Sequence, residues 1–273
     1  MTLKGRLKTV LLLGLLLLIG ATVGAEDAQP PRRVFTLPIE MDVDSGAANG
    51  DAVIMRLMPL AAFPMGERWK IVNLTLAMVA DAPGGVPGQP GNPEPGEGGR
   101  VFGLGDLTNA VFFTPPSRST KFVWGFGPGV GLPIATDPRL GSGKWTLGPA
   151  FRFAYRPGPW NLGAVVVNLF SVAGDEERAD VNQLLIRGLI RRRLKDPWYF
   201  TYNPIITANW NAPADQRWLV PLGGGIGRTF TAGGQSVALS VHAYANVIKP
   251  DGAPEWLIRI TFIVPIPKAL MRR

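Results

Sequence analysis

The sequence predicts an all-β protein, a single-chain antiparallel transmembrane β-barrel of about twelve strands. Apolar and polar residues alternate with a period of two over segments of about 10–13 residues, where about 9–11 are needed to cross a bilayer. One face of these segments is large and aromatic, and the other is small or polar. Short and long connections also alternate along the chain, as they do in bacterial outer-membrane barrels.

The composition narrows the alternatives before any motif is considered. The 273 residues include 34 Gly and 26 Pro, which break helix interiors and argue against a helical bundle. The chain is 46% hydrophobic and carries 8 Trp, so it is not intrinsically disordered. It has no Cys and 1 His, which excludes disulfides, thiolate metal sites and multi-histidine metal sites. We therefore predict a protein that is not an enzyme and has no metal or cofactor.

Residues 1–25 have the order of a secretory signal peptide. Three cations within the first eight residues precede an apolar run over 10–19, and small residues end at Ala25. The run is shorter than the ~18 residues of a membrane-spanning helix, and an uncleaved anchor is the alternative. Cleavage after Ala25 removes these cations from the net charge of +8. The barrel portion, 26–273, is then only mildly basic, and nucleic-acid binding is not expected.

Four segments show the two faces most clearly. Their apolar sides carry large residues: Phe122, Trp124 and Phe126; Trp145, Leu147, Phe151 and Phe153; Val237, Leu239 and Val241; Trp256, Ile258, Ile260 and Phe262. A soluble sandwich would alternate as well, with its apolar side turned inward. Strand length, the aromatic face and tryptophans near strand ends favour the barrel, because an indole ring suits the headgroup level of a bilayer. We therefore expect the rings to face lipid and the polar sides to face the lumen.

Twelve segments qualify as strands: 34–41, 53–63, 69–80, 103–114, 121–133, 145–156, 160–171, 182–194, 198–210, 218–229, 235–247 and 255–264. Tight connections at 64–68, 115–120, 157–159, 195–197 and 230–234 alternate with mostly longer ones at 42–52, 81–102, 134–144, 172–181, 211–217 and 248–254. An even strand number with both termini on the periplasmic side is typical of single-chain bacterial barrels. The first strand contains Pro38, which disfavours a central strand, so ten strands is the alternative.

Three features stand outside the alternation. The segment 83–99 is mostly Gly and Pro and predicts a flexible outer loop, with a lid or plug as the alternative. Arg187 and the run 191–195 form a charge cluster that we interpret as solvated or facing headgroups, with a lumen or lipopolysaccharide contact as the alternative. The glycine rows at 125–131 and 223–227 lie inside strands. A phosphate loop lies between a strand and a helix, so we interpret these rows as close packing.

A series of short strings resembles the outer-membrane family labelled "MetA-pathway of phenol degradation", which also carries a neuromedin U-like label. The strings occur in order over nearly all of 103–264: Gly105–Asp106, Phe112–Pro115, Trp124–Pro128, Leu132–Thr136, Leu140–Trp145, Leu147–Pro149, Ser171–Gly174, Val181–Asn182, Trp198–Tyr199, Asn203–Trp210 and Val220–Gly227. This resemblance implies an outer-membrane barrel in a Gram-negative bacterium, associated with the passage of small, often aromatic or hydrophobic, compounds. It supplies no catalytic residues.

The polar faces of the predicted strands supply a set of lumen-lining candidates. They are Lys121, Arg152, Arg156, Asn203, Thr207, Asn209, Arg228, His242, Tyr244, Asn246 and Arg259. Few carboxylates fall on these faces, so we expect an excess of positive charge that attracts anions. The predicted function is therefore passive transport of small neutral or anionic compounds, with aromatic acids as one class.

Two other functions stay open at this point. The lumen side chains could pair with one another and fill the barrel, which would leave a closed structural or surface-interaction protein. An outer-membrane hydrolase could pair His242 with Ser240, although two residues on one strand do not by themselves establish a nucleophile and its base. The partners expected for the transport reading are the outer-membrane bilayer, small-molecule solutes and the barrel-assembly machinery.

Overall fold

The structure, a computed structural model, describes residues 34–66, 68–84, 99–116, 121–232 and 235–265. These residues form twelve barrel strands: β1 Val34–Ser45, β2 Ala52–Leu57 continued by Leu60–Met65, β3 Trp69–Pro83, β4 Arg100–Leu104 continued by Leu107–Thr114, β5 Phe122–Leu132, β6 Lys144–Tyr155, β7 Trp160–Gly174, β8 Asn182–Arg193, β9 Trp198–Tyr202 continued by Ile205–Asn209, β10 Trp218–Ala232, β11 Gln235–Ile248 and β12 Trp256–Pro265. The predicted signal peptide, 1–25, lies outside the described residues.

The strands form one closed antiparallel barrel, as predicted. Each strand pairs with the strands before and after it, and β12 returns to β1, with Thr36 opposite Pro265 and Ser45 opposite Trp256. The prediction of twelve strands is confirmed, and the alternative of ten is wrong. The first strand is longer than predicted: it continues past residue 41 to Ser45.

Proline explains two of the three strands that are interrupted. Pro38 has no N–H to donate, and the ladder between β1 and β2 is broken beside it, where the Met58 N–H donates to the Pro38 carbonyl at 2.9 Å. Pro204 interrupts β9 in the same way, with its carbonyl accepting from the Gly188 N–H at 3.1 Å. The register is kept across both breaks, so neither proline removes a strand from the barrel. The third break, at Gly105 and Asp106 of β4, inserts an extra residue.

The two ends of the barrel differ in the length of their connections. We call the end with the connections 66–68, 115–121, 156–159, 194–197 and 233–234 the turn end, and the opposite end the loop end. The loop end carries the connections 46–51, 84–99, 133–143, 175–181, 210–217 and 249–255. Residues 85–98, which belong to the predicted flexible loop, lie outside the described part of the chain. In bacterial barrels the short turns face the periplasm. In the part of the chain that the structure describes, no helix has the length and apolar character needed to cross a membrane.

The outer surface carries the large apolar side chains, as predicted. Trp124 and Phe126 on β5 are 38% and 48% exposed. Gly125, which lies between them, and Gly129, further along the same strand, are buried. Tryptophans mark both ends of the wall: Trp69, Trp160 and Trp198 begin strands at the turn end, and Trp145, Trp218 and Trp256 lie at the loop end. This arrangement is typical of the aromatic belts of bilayer-spanning barrels.

The glycine rows allow neighbouring strands and interior side chains to approach closely. A Cβ on Gly127 of β5 would lie 2.0 Å from the Val111 carbonyl oxygen, and one on Gly148 of β6 would lie 1.8 Å from the Asn168 carbonyl oxygen. A Cβ on Gly129 would lie 2.5 Å from a methyl carbon of Val167 in the barrel interior. These glycines therefore have a packing role inside strands, in agreement with the sequence interpretation.

Candidate functional site in the barrel lumen

Three carboxylates of β1 point into the barrel. Residues 40–44 read Glu-Met-Asp-Val-Asp, and the period of two in a strand places Glu40, Asp42 and Asp44 on one face. All three are buried, and Glu40 and Asp42 have no solvent exposure. The register places Arg56 opposite Glu40 on one side and Arg259 opposite Asp42 on the other. Unpaired charges at this depth would be very unfavourable, so the arginines are needed to hold Glu40 and Asp42 there.

Arg259 of β12 binds Asp42 through two parallel hydrogen bonds. Its Nε donates to Asp42 Oδ1 at 2.7 Å and its Nη2 donates to Oδ2 at 2.8 Å. The third nitrogen, Nη1, donates to the Asn203 carbonyl at 2.9 Å and lies 3.6 Å from Glu40 Oε2. Arg56 also donates to Asp42 Oδ2. The planar guanidinium therefore fixes β12 against β1 and reaches across to β9.

A second ion pair crosses the barrel. Arg187 lies on β8, which is not a neighbour of β1, and yet its Nη1 donates to Glu40 Oε2 at 3.1 Å, with Nη2 donating to Glu40 Oε1. The Asn203 side chain adds a hydrogen bond to Glu40 Oε1 at 3.2 Å. The Arg187–Glu40 pair lies near the middle of both strands and therefore divides the lumen at its waist.

A chain of polar side chains continues from this pair along β9 and β11. Tyr244 Oη donates to Asn203 Oδ1 at 2.9 Å and lies 3.1 Å from His242 Nδ1. His242 Nε2 lies 2.9 Å from Ser240 Oγ. The His242 and Tyr244 rings stack at 5.8 Å between centroids. This chain gives the hydrolase alternative no support, because both Ser240 and His242 are buried and a tyrosine holds the Nδ1 position where an orienting carboxylate would lie.

The opposite side of the lumen is apolar. A buried cluster from β3, β4, β6 and β7 fills it: Val72, Ala110, Phe112, Ala150, Val167 and Leu169. A cavity of about 30 Å³ lies between this cluster and Arg187, and another of about 20 Å³ lies beyond Asp42 and Arg259. Each has room for about one or two water molecules. The waist is therefore closed in this conformation.

The connection 133–143 also folds into the barrel, at the loop end. Leu140 has no solvent exposure and packs with Ile54 and Ala80 on the inner wall. Asp106, the extra residue of β4, holds the segment by accepting hydrogen bonds from the Ser142 N–H at 2.7 Å and the Ser142 hydroxyl at 2.9 Å. Nearby, hydrogen bonds from Arg139 hold the pKa of Asp137 down to about 2, so this loop keeps its ion pair in acid. The loop end is thus narrowed by an anchored segment.

Inward-facing cations collect toward the turn end. The Arg152 guanidinium lies 5.9 Å from the centre of the Phe112 ring, and the Arg191 guanidinium lies 4.2 Å from that of Tyr199. Neither arginine forms an ion pair with a described residue, and Arg191 Nε is buried without a hydrogen-bond partner there. Lys121 and Arg156 follow on inward positions at the rim, where the Arg156 N–H donates to the Lys121 carbonyl. Positive charge therefore exceeds negative charge in this vestibule, whereas the arginines of the waist are paired with Glu40 and Asp42.

The structure places the predicted lumen residues as follows. Asn203, Thr207, His242, Tyr244, Asn246 and Arg259 are buried inside the barrel, and Lys121, Arg152, Arg156 and Asn209 lie on inward positions nearer its ends. The prediction for Arg228 is wrong: it shares the outer face of β10 with Leu222, Ile226 and Phe230. Its guanidinium lies 5.7 Å from the Trp198 ring. At the end of a strand a long side chain of this kind extends its charge toward the headgroups.

The expectation of few inward carboxylates is also wrong. Asp42 and Asp44 were assigned to a loop because the predicted first strand ended at residue 41, and Arg56, the partner of Asp42, was not among the predicted lumen residues. For Arg187 the structure supports the alternative of a lumen contact, since this side chain pairs with Glu40 inside the barrel. The signal was present in the sequence, since the alternation of 34–41 continues without interruption through Asp44.

Comparisons with known proteins agree with this fold. No family model and no curated protein sequence matches the chain, so the resemblance to the phenol-degradation family stays a prediction. Among solved structures, the COG4313 outer membrane channel from Pseudomonas putida F1 is similar at a TM-score of 0.60 and 13% identity, over 90% of this chain and 100% of that one. The CymD monoaromatic hydrocarbon channel matches at 0.43, with 10% identity over 86% of this chain and 89% of that one. The P. putida toluene transporter TodX matches at 0.41, with 9% identity over 87% and 91%. The match to the COG4313 channel shows that the chain has the fold of an outer-membrane β-barrel.

Proposed function

We propose that this protein is a passive outer-membrane channel for small neutral or anionic compounds, without enzymatic activity. The observation that carries the proposal is the distribution of charge along the lumen. At the waist Glu40 and Asp42 are paired with Arg56, Arg187 and Arg259, and Arg152, Arg156 and Arg191 leave the vestibule at the turn end positive. A positive vestibule with low-dielectric walls attracts anions and repels cations.

The apolar side of the lumen supports a preference for compounds with an apolar or aromatic portion. Val167 and Leu169 line it next to Phe112, and Arg187 lies at the edge of its small cavity. A ring could slide along this surface while an anionic group follows the arginines. The resemblance found in the sequence and the description of the COG4313 protein as a channel both support a transport role.

Passage requires the waist to open. The Arg187–Glu40 pair is the contact that crosses it, and the Arg187 side chain is 19% exposed, whereas Glu40 is fully buried and also held by Arg259 and Asn203. Arg187 is therefore the member of the pair that can swing away. The observation that favours the second candidate, a closed structural barrel, is this same closed waist.

The test is solute flux into proteoliposomes of zwitterionic lipid, with protein-free vesicles as the blank. Benzenesulfonate and benzyltrimethylammonium are suitable probes, because both carry a permanent charge and do not leak through lipid. We expect the native protein to admit benzenesulfonate faster. We expect Arg187→Met to raise the flux of both probes severalfold and to reduce the preference for the anion, because Glu40 loses a cation.

Arg192→Met is the matched control, since Arg192 lies on the same strand but on its outer face. This variant should behave as the native protein does. A failure of both probes to enter through the native protein and through Arg187→Met would establish the closed barrel. Faster entry of benzyltrimethylammonium through the native protein would overturn the charge preference but not the channel.

The cellular location is part of the proposal. The barrel fold supports insertion in the outer membrane of a Gram-negative bacterium by the barrel-assembly machinery, with residues 1–25 removed after export and the turn end facing the periplasm. Sequencing of the mature N-terminus from purified outer membranes tests it. A mature chain that begins near Glu26 is expected, and recovery of intact Met1 in the inner membrane would contradict the assignment.

A further inference from the structure

Two arginine–tryptophan pairs lie side by side on the outer face of the barrel at the turn end. The Arg192 guanidinium on β8 lies 5.5 Å from the centre of the Trp160 ring, and that of Arg228 on β10 lies 5.7 Å from the centre of the Trp198 ring. Both arginines are exposed, and neither forms an ion pair with a residue that the structure describes. Both guanidinium groups on the outer face are therefore available to a partner outside the chain.

The sheet register places the two arginines within reach of a single ligand. Arg192 is opposite Phe200, which is opposite Ile226, and Arg228 lies two residues further along β10. Two strand spacings and one outward step along a strand separate the two Cα atoms by about 12 Å. The side chains of both arginines can therefore reach the headgroup of one lipid, or of two adjacent lipids.

The surroundings of these arginines fit a phospholipid. Phe200 and Ile226, between them, are 41% and 53% exposed and would contact acyl chains. Arg193 and Lys195 add positive charge at the adjoining turn, where Asp196 is the opposing carboxylate. The site is thus apolar toward the membrane and cationic toward the aqueous rim.

The opposite end of the barrel has the reverse charge. Its exposed side chains include many carboxylates: Asp51, Asp175, Glu176, Glu177, Asp180, Asp215, Asp251 and Glu255. If these charged side chains served only to make the protein soluble, cations and carboxylates would not be separated between the two ends of the barrel. The arginine–tryptophan pairs are therefore a local feature of the turn end.

We propose that Arg192 and Arg228, with Trp160 and Trp198, bind the phosphate of an anionic phospholipid in the leaflet at the turn end. Arginine suits this ligand because its planar donors bind phosphate oxygens in pairs, and the tryptophan ring holds each guanidinium at headgroup depth. The site lies outside the lumen, so it is independent of whether the barrel conducts.

Native mass spectrometry of the folded, detergent-purified protein tests the proposal. The protein is titrated with phosphatidylglycerol and, separately, with phosphatidylcholine of the same acyl chains. Each arginine near a membrane surface contributes about 1 kcal/mol to anionic lipid binding, so we expect the preference for phosphatidylglycerol to fall about fivefold in Arg192→Gln or Arg228→Gln and about thirtyfold in the double variant.

The matched control replaces two cations of the same end that face inward, Lys121→Gln with Arg156→Gln, and has the same net charge as the double variant. This control should keep the native preference. An equal loss in both would mean that net charge alone attracts the lipid and would overturn the site. A competition experiment with free glycerol phosphate tests whether the ligand is a soluble phosphate instead of a lipid. If glycerol phosphate displaces phosphatidylglycerol at equal concentration, the proposed lipid site is also wrong. The heat-dependent shift of folded barrels on gels shows that each variant is folded.

Discussion

The two sides of the lumen hold the barrel together in different ways. One side, which we call the charged arc, consists of Glu40, Asp42, Arg56, Arg187 and Arg259 with their hydrogen-bond partners. The other, the apolar arc, consists of Val72, Ala110, Phe112, Ala150, Val167 and Leu169. The charged arc uses few contacts of fixed geometry, whereas the apolar arc uses many contacts that depend only on shape.

This difference has consequences for stability and for transport. Removal of one member of the charged arc leaves an uncompensated buried charge, which is strongly unfavourable and also changes the field in the lumen. Removal of a methyl group from the apolar arc leaves a void but no charge. The charged arc should therefore control both stability and ion preference, and the apolar arc should control stability and width alone.

The largest effect is expected from Arg259→Met in the charged arc. Asp42 would keep only Arg56 as a cationic partner, and Glu40 only Arg187, so we expect a loss of about 3–5 kcal/mol in the free energy of unfolding. Equilibrium unfolding in guanidinium chloride, followed by tryptophan fluorescence, measures it.

Arg152→Met is the control for this substitution. Arg152 also points inward, but it lies over Phe112 and has no carboxylate partner among the described residues. Its replacement should change stability by about 1 kcal/mol or less. Equal losses in the two variants would show that the ion pairs do not hold the barrel.

A smaller effect is expected from Leu169→Ala in the apolar arc. The substitution opens a cavity next to Val167 and should lower the unfolding free energy by about 2–3 kcal/mol, measured by the same titration. Val172→Ala, on the same strand but facing lipid, should be nearly neutral, since Val172 is 62% exposed. The ratio of chloride to potassium permeability in planar bilayers should stay unchanged in both. A change of that ratio in Leu169→Ala would show that the apolar arc also affects ion preference and would contradict the proposed difference between the two arcs.

Most of the fold could be predicted from the sequence, because the outward and inward side chains of a barrel strand differ in size and polarity and therefore alternate along the sequence. The alternation in β5, β6, β11 and β12 predicted which side faces outward, and the structure confirms this orientation for Trp124, Phe151 and Ile258. The alternating connection lengths predicted the closed order of strands. Both signals are local, so no knowledge of distant contacts was needed.

The ion network could not be predicted in the same way, because it depends on contacts between distant segments. Arg187 and Glu40 are separated by 147 positions and meet only when the barrel closes. Pro38 left ten strands as an alternative because a proline cannot donate to a ladder, whereas in the structure the break is absorbed by β2. Arg228 was assigned to the lumen as a polar residue, although the period of two places it on the outer face of β10 with Leu222, Ile226 and Phe230, opposite the inward glycines.

The smallest effect on stability, and the sharpest test of the vestibule, is expected from Arg152→Gln. This change removes one unpaired inward cation and leaves the charged arc intact, so the unfolding free energy should change by about 1 kcal/mol or less. The preference for chloride over potassium, obtained from the reversal potential in a KCl gradient, should fall. Arg68→Gln, at the exposed rim of the same end, should leave it unchanged, because a solvated charge is screened by salt within about 10 Å. A native channel that prefers potassium, or an Arg152→Gln variant with an unaltered reversal potential, would show that the inward arginines do not select the ions that pass.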